Sequence, residues 1–162
     1  MRVLGIDPGL ATVGYGLIDT DGLRKIECIS YGCIKTPANL SMGARLRIIF
    51  DDMQELIARY RPDQGSVEKL FFKQNVSNGI QVAQARGIIL LALEQHEIPF
   101  KEYAPVQVKS RLVGYGHAEK HQIQYVVANT LGLEKKPKPD DAADGLALAI
   151  CHHYSNSNSL SR

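Results

Sequence analysis

Three cysteines are present in 162 residues, Cys28, Cys33 and Cys151, and no two of them form a CxxC pair. They are expected to be reduced core thiols of a cytoplasmic protein, in a chain long enough to bury a core without disulfides or metal staples. The basic, apolar and small-residue succession that opens a secretory signal is missing. Long hydrophobic runs are missing as well: the most apolar stretch, Gly87 to Leu93, falls far below the ~20 residues of a bilayer-spanning helix, so membrane insertion is not expected. The net charge is only +2, which as a total implies no particular partner. Neither an internal repeat nor a domain boundary is evident. One domain is expected over residues 1–154, with residues 155–162 ("SNSNSLSR") a polar, disordered tail.

The charge that is there is unevenly placed. Between Lys101 and Lys138 the bases Lys101, Lys109, Arg111, Lys120, Lys135, Lys136 and Lys138 face only Glu102, Glu119 and Glu134. A basic segment in a nearly neutral protein suits a phosphate-backbone contact surface, although solvated helix faces would look the same. Residues 2–7, 13–19 and 25–35 read as an antiparallel meander, with Asp21 and Gly22 in the second turn. Ser41 can cap a helix carrying Leu46, Ile49, Met53, Leu56, Ile57 and Tyr60 at helical spacing and ending before Pro62. A strand is predicted at 66–70, a helix at 77–95, a strand at 99–103, helices at 105–113 and 118–131, and a last helix at 140–153. The fold class is therefore α/β: a mixed five-stranded sheet, three antiparallel strands and then parallel ones, flanked by helices. A helical crossover makes the first and fourth strands parallel, which brings Asp7 and Glu68 to the same end of the sheet. The 77–95 helix is apolar on more than one face from Val82 onward, so one side should pack on the sheet and the other on a symmetry mate in a homodimer.

"GIDPG" at 5–9 places a carboxylate at the end of an apolar run, and by itself it reads as a type II turn with Asp7, Pro8 and Gly9 in sequence. Glu68 ends a second apolar run. In "PDDAADGLALAI", Asp141 and Asp144 stand three apart on one helix face. Each acid alone has a structural explanation, including Asp140 as a helix cap and acids favoured by the helix dipole. Together they form a cluster in which unit charges at ~4 Å repel by about 4 kcal/mol at an effective dielectric of 20, so cations are required. Oxygen ligands without a Cys or His cluster select hard ions, Mg²⁺ by default with Mn²⁺ as substitute. Two such ions per site suit in-line attack of water on a phosphodiester.

Four long stretches, "GIDPGLATVGYGLI", "VEKLFFKQNVSNGIQVAQARGIILLA", "YAPVQVKSRLVGYGHAEKHQIQYVV" and "PDDAADGLALAICH", resemble the RuvC family in order, from about Arg2 to His153. The resemblance implies a ribonuclease H-like fold and a crossover (Holliday) junction endodeoxyribonuclease of homologous recombination and DNA repair. It implies that Asp7, Glu68, Asp141 and Asp144 are the catalytic, metal-binding acids, with Asp140 left as the cap. It also implies that Phe71 stacks on bases at the junction centre, that Lys109 and Lys120 approach the DNA backbone, and that the partner machinery is the RuvA and RuvB branch-migration complex. Two positions depart from the commonest family pattern, Lys69 and Gly145, the latter at an expected cost of roughly 1 kcal/mol in the last helix. The alternatives are a related ribonuclease H-like resolvase acting in RNA processing and a non-catalytic nucleic-acid-binding module. The phosphate-binding hairpin of actin-like ATPases and sugar kinases is set aside because 162 residues cannot supply two such domains.

Overall fold

The computed structural model describes residues 1–22, 25–70 and 76–157. Its elements are β1 (Arg2–Asp7), β2 (Thr12–Thr20), β3 (Ile26–Lys35), α1 (Met42–Tyr60), β4 (Gln64–Glu68), α2 (Val76–Gln95), β5 (Phe100–Tyr103), α3 (Pro105–Val113), α4 (Lys120–Thr130) and α5 (Asp140–Ser157). The sheet runs β3-β2-β1-β4-β5. β1–β2 and β2–β3 pair antiparallel, and β1–β4 and β4–β5 pair parallel, as the meander and the crossover require. No helix among the described residues is long and apolar enough to cross a membrane.

β1 is buried on both faces because each face carries its own helical layer. Leu4, Ile6 and Leu17 face α1 and α2, where Ile49, Met53, Ile89 and Leu93 complete one core. Val3 and Ile18 face the opposite way, into a second core with Val108 of α3, Ile123 of α4 and Leu146 and Ile150 of α5. The period-2 alternation of strand side chains thus sends Asp7, in phase with Val3, to the α5 side.

Several expectations need correcting. Gly9 is not among the glycines with positive φ, so the segment after Asp7 is not a type II turn. Glycine is needed there for a different reason, since a Cβ would overlap the Thr12 carbonyl oxygen. Residues 8–11 form a loop that lets β2 return in register with Asp7 opposite Gly14. β4 begins two residues earlier than predicted and ends on Glu68. Only Cys151 is fully buried; Cys28 and Cys33 are half-buried, and all three are free thiols.

The last helix runs on to Ser157 rather than stopping at His153. Polar side chains extend it by finding partners: Ser155 Oγ donates to the Cys151 carbonyl at 2.8 Å, and Asn156 receives a 2.9 Å hydrogen bond from Lys101 Nζ. Further anchors lie one turn back. Tyr103 Oη lies 2.9 Å from His152 Nδ1 and Gln64 Oε1 lies 2.6 Å from His152 Nε2, while Thr20 Oγ1 lies 2.7 Å from His153 Nδ1. Burial lowers the His152 pKa to about 4, which keeps the ring neutral, with one nitrogen accepting and the other donating. These contacts tie the C-terminal half of α5 to β2, β4 and β5.

Candidate active site

Asp7 and Glu68 end two neighbouring parallel strands, with Ile6 opposite Val67 in the register. α5 crosses β1 and β2 so closely that a Cβ at Gly14 would overlap the Asp141 carbonyl, and one at Gly145 would lie 2.6 Å from the Tyr15 carbonyl carbon. The glycine at 145 is therefore matched to a backbone approach, and its expected cost in helix propensity is set against room for β2. The result is that the first two turns of α5 lie over the ends of β1 and β2. One carboxylate oxygen from each of Asp7, Asp141 and Asp144 falls within 4.8 Å of the others.

Glu68 is not one of these three, but it is coupled to Asp7 and Asp144 by charge. Burial, then the charges of Glu68, Asp144 and Asp141, push the Asp7 carboxyl up to about 8. Burial and the Asp144 charge push Glu68 up to about 7. Asp144 is also raised, by burial first, with Lys120 acting against it. Carboxylates that resist ionisation for these reasons lack positive charge, and a divalent cation would supply it. The donor set fits a hard cation: the cluster is all carboxylate oxygen, and the nearest thiol, Cys33, is held protonated by burial and by the Asp141 charge.

Lys120 opens α4 and points its ammonium at α5, 3.4 Å from Asp144 Oδ2 and 3.5 Å from Asp140 Oδ2. Lys109 of α3 lines the same cleft of about 200 Å³ as Glu68, Lys120 and Asp144, floored by Val108, Ile123 and Leu148. No carboxylate among the described residues pairs with Lys109. The structure thus brings both predicted lysines to the rim of the acid cluster. Phe71 lies outside the described residues.

Asp140 does not act as a side-chain cap. It is the first residue of α5, whose opening N–H groups at Ala142 and Ala143 bond to the Pro139 carbonyl instead. The Asp140 carboxylate turns to α4, accepting from Gln124 Nε2 at 2.9 Å and pairing with Lys120. Sequence reasoning missed Gln124; the available signal was its position one turn beyond Lys120 on the same helical face.

A family model described as crossover junction endodeoxyribonuclease RuvC matches residues 3–152. The crossover junction endodeoxyribonuclease RuvC of Syntrophomonas wolfei is 52% identical over 155 residues, spanning 96% of this chain and 90% of that protein. That of Halothermothrix orenii is 52% identical over 162 residues, spanning 100% and 96%. Among solved structures, T. thermophilus RuvC in complex with a Holliday junction substrate superposes with a TM-score of 0.93 at 33% identity, covering 98% of this chain and 96% of that one.

Proposed function

The chain belongs to the RuvC family of crossover junction endodeoxyribonucleases and is a nuclease that resolves Holliday junctions; from this premise we propose that it nicks two strands of the four-way junction symmetrically through a divalent-metal site made by Asp7, Glu68, Asp141 and Asp144. The observation that carries the reading is the convergence of Asp7, at the end of β1, with Asp141 and Asp144, on the first turns of α5, from two stretches far apart in the sequence. The alternatives, an RNA-processing enzyme or a non-catalytic module, lose ground on two counts: all four acidic positions are filled, and the relatives are named as junction endonucleases.

In this reading the four acids hold Mg²⁺, or Mn²⁺ in its place, at two ions per active site, and these ions supply activation of the attacking water and stabilisation of the leaving oxygen. Asp7 and Glu68, fixed at strand ends, and Asp141 and Asp144, fixed on α5, hold the ligand oxygens in place before substrate arrives, so little reorganisation is needed. Lys109 and Lys120 at the rim hold the phosphates that flank the cut. Phe71 stacks on bases at the centre of the junction. The products carry 5′-phosphates.

Two equivalent cuts call for two equivalent sites. α2 supports a homodimer, because Ala85, Ile89, Ala92 and Leu93 are buried in the core while Ile80 and Leu91 on another face remain 52% and 48% exposed. We further assign the protein to the cytoplasm and to work with the RuvA and RuvB branch-migration complex, following its family. The test is cleavage of a four-way junction, a linear DNA duplex and an RNA duplex, with and without Mg²⁺. Paired nicks on the junction alone, only with the metal, are expected. Equal or better cleavage of the RNA duplex would overturn the proposal.

A further inference from the structure

Lys120 is shared between two carboxylates of different standing. Its ammonium is almost equidistant from Asp144, a member of the acid cluster, and Asp140, which is outside it. Asp140 is itself oriented: Gln124 Nε2 donates to Oδ1 at 2.9 Å, which turns Oδ2 toward the lysine. The side chains of Lys120 and Asp140 are 54% and 57% exposed, and an ion pair so open to water contributes only about 0–1 kcal/mol to stability. Fold stability does not account for it. Its position does, since the lysine sits where a cation approaching Asp144 would meet it.

We propose that Asp140, oriented by Gln124, is a positioning residue that holds Lys120 at the rim of the acid cluster, so that Asp144 can pass its oxygen to a divalent cation while the ammonium stays beside the cleft. Without Asp140 the ammonium has Asp144 as its sole carboxylate partner and competes with the cation for it. With Asp140 the lysine keeps a partner when Asp144 is taken. The cleft-side position retained in this way is the one from which Lys120 reaches a phosphate. The proposal rests on the reading of the cluster as a divalent-cation site.

The test is a double-substitution cycle read by Mn²⁺ binding without DNA, using electron paramagnetic resonance of free Mn²⁺ on wild type, Asp140→Asn, Lys120→Met and the double variant. Removing a nearby negative charge weakens Mn²⁺ binding in either background through its field alone. The proposal predicts an additional weakening of about threefold or more when Lys120 is present, and its disappearance in the Lys120→Met background. Asp140→Glu, which keeps the charge, should bind Mn²⁺ nearly as wild type does. Equal factors in the two backgrounds would overturn the proposal while leaving the metal site intact, whereas wild type that binds no Mn²⁺ would overturn both. Both side chains are more than half exposed, so all four proteins should fold.

Discussion

A carboxyl whose pKa is raised by folding disfavours the folded state at any pH above its unfolded value, because folding must then either keep the charge buried or take up a proton, and Asp7 at about 8 and Glu68 at about 7 do so at neutral pH in the absence of metal. Because their folded values lie above the unfolded ones, near 4, their contribution is most favourable below pH 4 and is lost as pH rises through 7 to 8. His152, lowered to about 4, works in the other direction, its contribution being lost as pH falls from 6.5 toward 4. A direct comparison of wild type with Asp7→Asn cancels the histidine. In EDTA, Asp7→Asn should melt above wild type at pH 8.5, by an amount on the order of a few kcal/mol, and the gap should shrink toward pH 5. A gap independent of pH would show that Asp7 is not the strained carboxyl. Lys109 carries a simpler expectation: Lys109→Ala should lower the salt slope of junction binding by roughly one unit, measured by titration at several salt concentrations. The proximity of Asp7, Asp141 and Asp144 was legible because Asp7 closes an apolar strand and the other two share one face at the start of an apolar helix, positions where a charge gains nothing by packing. The pairing of Asp140 was not, since its partners Lys120 and Gln124 come from a different helix and only the packing of α4 on α5 joins them.

The elements place those residues, and α5 is the one that matters most. Its N-terminal turns are set over β1 and β2 by backbone contact, and its C-terminal turns by the hydrogen bonds of His152, His153 and Asn156. Gly14 is the contact nearest the acids. Gly14→Ala should push Asp141 away from Asp7 and cost about 1–3 kcal/mol of stability, as overpacking does, with cleavage falling well beyond what the unfolded fraction explains. Thermal melts and cleavage rates on one preparation check both parts; a stable variant cutting at wild-type rate would contradict the packing account. The meander, the crossover and the five helices were legible from period-2 and period-3.6 patterns and from turn residues. The turn type at Asp7–Gly9 was not, because glycine serves both left-handed backbone and close approach, and the sequence looks the same in either case. Nor was the end of α5: "SNSNS" reads as solvated tail until Gln64 and Lys101 are seen to supply partners for Asn156.

Across the whole molecule, the strand ends and the start of α5 gather the acids, the lysines of α3 and α4 border them, and α2 leaves Ile80 and Leu91 exposed, the face we propose for a second copy. Leu91→Glu would place a charge on that face without touching the buried side formed by Ala85, Ile89 and Leu93. Sedimentation should show a dimer for wild type at micromolar concentration and a monomer for this variant, still folded; a wild-type monomer would contradict the assembly. Metal-dependent cutting by the acid cluster is decided by Asp7→Asn, because Asn is nearly isosteric and removes one ligand charge. The measurement is paired on one preparation, junction binding in Ca²⁺ and junction cleavage in Mg²⁺. Binding should persist, since phosphate contacts from Lys and Arg supply it, and cleavage should be nearly abolished at saturating Mg²⁺. A folded Asp7→Asn protein that binds the junction and still cuts at close to the wild-type rate would contradict the account.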